Sequence, residues 1–215
     1  MDNNAKPCLI FDLDGTLWDA LKGITIAWNA AMAKEGQTYF FTEAIMRNYM
    51  GLTPEETGPL AFPNKTLAEQ MRLFRSCLRS EIDYLGRHPG TLYPFEKEVL
   101  AELGKTYDLC IVSNSDKGYV ENYLRACGTG RYFKGHVCAG DTDAPKWKNI
   151  RYIMEKYSIE RAAYIGDTEK DRRESKAAGV PFIWAAYGFG VRVNARYLIR
   201  NLTELPQVAK SVFEG

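Results

Sequence analysis

Asp12, Leu13, Asp14, Gly15 and Thr16 follow a short apolar run, Cys8–Phe11, and set two carboxylates two positions apart. Side chains two apart in extended chain point the same way, so Asp12 and Asp14 project together past a strand's carboxyl end. Open α/β sheets bind ligands at that end. Gly15 lets the chain turn sharply, and Thr16 offers a hydroxyl and a backbone N–H to an anion. Two carboxylates this close repel each other unless one keeps its proton or a cation binds, so the pair asks for a metal. A second acidic segment, Gly166-Asp167-Thr168-Glu169-Lys170-Asp171, follows an apolar run at 162–165. Asp167 stands at the end of that run and reaches toward the same cation as Asp12, a hard oxygen site suited to magnesium. Thr168 and Asp171 also fit a T-x-x-D capping box, so Asp171 divides between capping a helix and orienting a lysine or a metal-bound water.

The elements that must hold these groups show in the hydrophobic pattern. Short continuous apolar runs at 8–11, 109–112, 136–138, 162–165 and 180–184 suit strands buried on both faces. Between the later runs, Tyr119, Tyr123 and Leu124 form one helical face, and Trp147, Ile150, Met154 and Tyr157 another. Alternating strands and helices predict a doubly wound parallel sheet, an α/β fold, with a last strand near 197–199 and a terminal helix from about 203. Residues 18–88 differ: no strand pattern stands out, while Leu21, Ile24, Trp28 and Ala31, then Leu67, Met71, Phe74, Leu78, Ile82 and Leu85, recur at helical spacing. They predict an inserted helical domain at 18–88, with 1–17 and 89–215 forming the α/β core. Gly86, Pro89 and Gly90 supply the turn back to the sheet. Within the insert, 49–62 breaks the helical pattern with Gly51, Thr53, Pro54 and Gly58 and reads either as a substrate-selecting loop or as a plain connection between helices.

The 215 residues carry 28 Lys and Arg against 27 Asp and Glu, a net charge of +1. Such balance provides no field to hold nucleic acid or an anionic membrane, and a small-molecule partner fits better. Five cysteines without metal-ligand spacing read as buried thiols in a reducing compartment. With no apolar run near the roughly 20 residues of a membrane span and no signal-peptide pattern, a cytoplasmic protein is expected, a monomer by default with a weak dimer as the alternative.

Four segments in order, Phe11-Asp12-Leu13-Asp14-Gly15-Thr16-Leu17, Val112-Ser113-Asn114-Ser115, a lysine near Lys146, and Ile165-Gly166-Asp167-Thr168-Glu169-Lys170-Asp171, resemble the haloacid dehalogenase superfamily, specifically its phosphatases of the phosphoglycolate phosphatase type. The resemblance spans nearly the whole chain. It implies that Asp12 is the nucleophile that becomes phosphorylated, and that Asp14 protonates the leaving oxygen and then activates water. It also implies a helical cap after the first motif. The Ser113 hydroxyl and the N–H groups around Asn114 are then candidates to bind phosphoryl oxygens, against the plainer reading of a turn that starts a helix. Lys146 follows Pro145 at the start of a helix, where a cation opposes the helix dipole, and that cost suggests another purpose. In the resembling family a lysine here neutralises the phosphoryl group. The usual Lys-Pro is absent and Lys148 lies nearby, but the spacing to Ile150 favours Lys146.

These parts imply a magnesium-dependent phosphatase acting through an aspartyl-phosphate, with Mg2+ held by Asp12, Asp167 and the backbone carbonyl of Asp14, and a small phosphorylated metabolite as substrate. A phosphomutase of the same superfamily shares every one of these residues. A non-enzymatic phospho-acceptor module is the reading from another class, and it has no need of a helical insert.

Overall fold

The computed structural model describes residues 6–214. Strand β1 (Cys8–Phe11) is four consecutive residues with no exposed surface. It leads through a tight turn into a two-residue strand β2 (Trp18–Asp19) and then into four helices, α1 (Leu21–Lys34), α2 (Glu43–Arg47), α3 (Pro54–Ala61) and α4 (Leu67–Leu85). The chain returns through β3 (Thr91–Leu92), which pairs antiparallel with β2. From there helix and strand alternate: α5 (Glu96–Thr106), β4 (Asp108–Ser113), α6 (Tyr119–Cys127), β5 (Gly135–Cys138), α7 (Ala139–Thr142), α8 (Lys146–Lys156), β6 (Ala162–Gly166), α9 (Glu169–Ala178), β7 (Phe182–Ala185), β8 (Tyr197–Ile199) and α10 (Leu205–Glu214).

The main sheet has the order β5-β4-β1-β6-β7-β8, and every pairing in it is parallel. Alternate residues of β1 separate the two faces. Cys8 and Ile10 join Val112, Ile150, Ile153 and Tyr164 beneath α8 and α9. Leu9 and Phe11 join Leu100, Leu103, Tyr123 and Leu205 on the side of α5, α6 and α10. Burial on both faces explains the continuous apolar runs, and the parallel connections cross over through helices everywhere except between β7 and β8, which an irregular segment joins. The doubly wound expectation is met. All five cysteines are buried free thiols. No helix among the described residues is long and apolar enough to cross a membrane.

The inserted helices share the second of these cores. Leu13, Leu17 and Trp18 continue into Leu21, Ile24, Trp28, Phe41, Phe62, Leu73 and Phe74 without a break. Helix α4 starts at a capping box in which Thr66 accepts from the Glu69 N–H and the Glu69 carboxylate accepts from the Thr66 N–H. Two sequence expectations need correcting here. The stretch from 18 is not free of strand, because Trp18–Asp19 and Thr91–Leu92 tie the two ends of the insert together. The stretch 49–62 is not simply a loop, because it contains α3. Its Gly58 and Pro59 hid that helix from a propensity argument, while Thr53, whose N–H donates to the Glu56 carboxylate at 2.7 Å, together with a proline at the first helical position, starts it.

Candidate active site

The carboxyl ends of β1 and β6 are neighbours, with Phe11 in register with Ile165, so the residues after them emerge side by side. Oxygens of Asp12, Asp167 and Asp171 lie within 4.8 Å of one another, and all three side chains are buried. Lys146, the first residue of α8, reaches into this group from the other side of β1's end. Its ammonium donates to Asp12 Oδ1 at 2.9 Å and to Asp171 Oδ1 at 2.6 Å, and its side chain is 1% exposed. Lys148 is exposed and lies over the Trp147 ring instead. A buried lysine survives at a helix N-terminus because two carboxylates outweigh both the dipole and the loss of water.

Asp171 does both things that the sequence left open. Its Oδ2 accepts from the Thr168 N–H at 3.0 Å and the Thr168 hydroxyl at 2.5 Å, closing the capping box of α9, while Oδ1 takes the lysine. Both oxygens are thereby committed, which leaves Asp12 and Asp167 as the natural pair for a cation. Asp167 Oδ2 accepts from the N–H groups of Phe189, at 2.6 Å, and Gly190, at 3.3 Å. Its Oδ1 is buried with no hydrogen-bond partner among the described residues. A buried carboxylate oxygen without a donor is costly, and a hard divalent cation beside Asp12 would satisfy it. The residues fit magnesium in donor type and in charge. Gly15 permits this approach. It sits at φ 77, and a Cβ there would overlap Asp167 Oδ2 and the Phe189 ring.

Asp14 is oriented differently. Its Oδ1 accepts from the Tyr119 hydroxyl at 2.7 Å and the Trp18 indole N–H at 3.0 Å. Sequence reasoning placed Tyr119 only on an apolar helix face, gave Trp18 no role, and missed these contacts. It also missed the amides of Phe189 and Gly190, which lie beyond the motifs.

Burial dominates the electrostatics. It pushes Asp12 up to about 6, with Asp171 adding to the rise and Lys146 opposing it. Asp14 rises to about 7, again mainly through burial, against the hydrogen bonds from Tyr119 and Trp18. Asp167 is held well above the usual carboxylate range by burial and by Asp171 and Asp12. Burial alone would lower Lys146, but Asp12 and Asp171 hold it well above an ordinary lysine. A carboxyl near 7 is suited to giving and taking a proton at neutral pH.

A cavity of about 680 Å³ opens over these groups, floored by Asp12, Asp14, Lys146 and Asp167 and roofed by residues of the inserted helices. Ser113 and Asn114 also line it. The Ser113 hydroxyl oxygen accepts from the Ser115 N–H at 3.1 Å, and Asn114 Nδ2 donates to the Gly51 carbonyl at 3.0 Å. Thr16 corrects an expectation: it does not line the cavity and has no exposed surface. Its N–H donates to the Leu13 carbonyl at 3.2 Å, its carbonyl accepts from the Tyr187 hydroxyl, and its own hydroxyl is enclosed. The turn after Gly15 folds back on Leu13, which consumes the donor that was expected for an anion.

A parallel sheet that gathers carboxylates and a buried lysine at the ends of its central strands has the polar site of an α/β enzyme that acts on a small anionic molecule. The family model described as haloacid dehalogenase-like hydrolase matches residues 9–185, and the chain belongs to that family. Among curated proteins, a phosphoglycolate phosphatase of Vibrio vulnificus is 28% identical over 193 residues, covering 84% of each chain. One of Aquifex aeolicus is 26% identical over 194 residues, covering 87% of this chain and 88% of that one. Among solved structures, a haloacid dehalogenase-like hydrolase of Bacteroides fragilis superposes with a TM-score of 0.82 at 20% identity, over 93% of this chain and 99% of that one. The expectation of a phosphatase within this family stands on these matches.

Proposed function

We propose that this chain is a magnesium-dependent phosphatase that hydrolyses a small phosphorylated metabolite through an aspartyl-phosphate on Asp12, as a phosphoglycolate phosphatase-like enzyme. The observation that carries the proposal is the Lys146 ammonium shared between Asp12 and Asp171, beside an Asp167 oxygen left without a donor. Asp12 attacks phosphorus, and Lys146 steadies the nucleophile while offsetting the charge of the incoming phosphoryl group. The side chain of Ser113 and the backbone around Asn114 bind phosphoryl oxygens. Asp14, held through one oxygen by Tyr119 and Trp18, gives the proton on its other oxygen to the leaving group. It then takes a proton from the water that splits the acyl-phosphate. Asp12, Asp167 and the backbone carbonyl of Asp14 would hold magnesium, which when bound offsets the charge gathered on the phosphoryl oxygens.

Residues 18–88 act as a cap that shields this chemistry from bulk water, over a core made of 1–17 and 89–215. Asn114 bonded to Gly51 and Lys170 paired with Glu56 support that role, since both join the insert to the sheet side. A cytoplasmic location and a monomer are the accompanying proposals. The test is release of inorganic phosphate from p-nitrophenyl phosphate with magnesium, together with mass spectrometry of the acid-quenched enzyme for a phosphate adduct on Asp12. Magnesium-dependent turnover with the adduct on another residue would remove the assigned nucleophile.

A further inference from the structure

The cavity is acidic beyond what the proposed chemistry needs. Eight carboxylates and only three cationic side chains line it, in a chain whose net charge is +1. Two of the three cations are already engaged, Lys146 with Asp12 and Asp171, and Lys170 with Glu56; the third, Arg75, is an exposed residue. Glu81 stands out among the acids. It belongs to α4 in the inserted helices, is 8% exposed, and lines the cavity on the side that faces Asp14 and Asp116. Its Oε2 accepts from the Trp28 indole N–H at 2.7 Å, and no described residue donates to Oε1. The walls around it are aromatic, formed by Trp28, Phe74 and Tyr49.

Burial pushes Glu81 up to about 8, so it holds its proton near neutral pH until a cation arrives. An ammonium beside Oε1 would draw that proton off, and a carboxylate fixed by an indole next to aromatic faces is the chemistry that recognises such a group. A substrate carrying a second anion would meet only repulsion there. Resting on the phosphatase chemistry proposed above, but not on the likeness to phosphoglycolate phosphatases for the choice of substrate, we infer that the cavity selects phosphomonoesters whose alcohol carries an amino group, and that Glu81 is the specificity-determining residue that receives it. Glu81 lines the same cavity as Asp14, the proposed donor to the leaving oxygen.

The test compares three magnesium-loaded reactions of the full chain by kcat/KM: O-phosphoethanolamine, ethyl phosphate, which lacks only the amino group, and 2-phosphoglycolate, which carries a carboxylate. The expected order places phosphoethanolamine about tenfold above ethyl phosphate and phosphoglycolate below both, the scale of one charge-assisted contact. Glu81→Gln keeps an acceptor for Trp28 and should bring the ratio of the first two close to one. A wild-type ratio near one, a preference for phosphoglycolate, or an unchanged ratio in Glu81→Gln would overturn the inference. Should the variant not fold, inhibition of wild-type p-nitrophenyl phosphate turnover decides. 2-Aminoethylphosphonate should inhibit about tenfold more tightly than ethylphosphonate, and equal inhibition would refute the assignment. Absence of any magnesium-dependent turnover of p-nitrophenyl phosphate would instead defeat the phosphatase proposal itself, and the inference with it.

Discussion

The floor and the roof of the cavity are built on opposite principles. The floor, at the ends of β1 and β6, is a set of charges whose positions are fixed by one another: Lys146 holds Asp12 and Asp171, the amides of Phe189 and Gly190 hold Asp167, and Tyr119 and Trp18 hold Asp14. The roof is an aromatic layer in which Trp28 packs edge-on against Phe41 and Phe74, with the single buried acid Glu81 tied to the indole. Charges fixed in a lattice give little room to vary without losing the chemistry. An aromatic wall can exchange side chains and keep its volume. On the proposed function, the contrast houses reaction type and substrate choice in physically separate parts of one cavity.

The separation can be broken most sharply at the floor. Asp12→Asn should abolish phosphate release, a loss of at least ~1,000-fold, while the far-ultraviolet circular dichroism stays that of the wild type; measurable turnover would mean that another group is the nucleophile. Asp14→Asn should lower kcat by about 100- to 10,000-fold. Asp14 must start protonated, and its carboxyl is raised to about 7, so wild-type kcat/KM should fall as the pH rises past neutrality, and that limb should vanish in the variant. A pH profile with the same alkaline limb in both would assign it to a different group.

Lys146→Met leaves two buried carboxylates facing each other and should cost about 3–5 kcal/mol of stability in urea titrations. Magnesium should recover part of that loss, because it relieves the same repulsion. At the roof, Leu73→Ala removes a side chain with no exposed surface and should cost about 2–5 kcal/mol, with less change in kcat for p-nitrophenyl phosphate than any floor variant. The smallest effect is expected away from both, at Glu96, which binds the Tyr123 hydroxyl at 2.6 Å and whose carboxyl burial raises to about 8. The folded state then holds a proton that the unfolded chain has lost, so stability declines as pH rises from about 4.5 to 8. Glu96→Gln should flatten that slope and raise the melting temperature at pH 8 by roughly 2–4 °C per kcal/mol regained. An unchanged slope would show that the buried acid is ionised in the native state.

The floor was largely legible in the sequence and the roof was not, for a physical reason. A strand buried on both faces must be continuously apolar, so β1 and β6 announced themselves, and Asp12, Asp14 and Asp167 followed directly after them. What supports those acids is brought in by the fold: Tyr119 lies 105 positions from Asp14, and Phe189 lies 22 from Asp167. A helix-face pattern marks Tyr119 as apolar and says nothing of where its hydroxyl ends. Thr16 was misplaced because the motif shows a hydroxyl near the site but not that Leu13 closes the turn around it. In the insert, helical periodicity located α1 and α4, yet nothing in that apolar pattern marked Glu81. Only the packing of α4 against Trp28 turned it inward.

The bond between Lys146 and Asp12 joins positions 134 residues apart, and its partner bond to Asp171 adds a third stretch of chain. Residue 12 is therefore made long before the lysine that steadies it, and before β6, the strand that pairs beside it. Refolding should show the same delay, with helical signal returning before activity, because contacts between distant segments close slowly. On the proposed mechanism, the nucleophile is made early and stays idle until Lys146 and Asp167 have joined it.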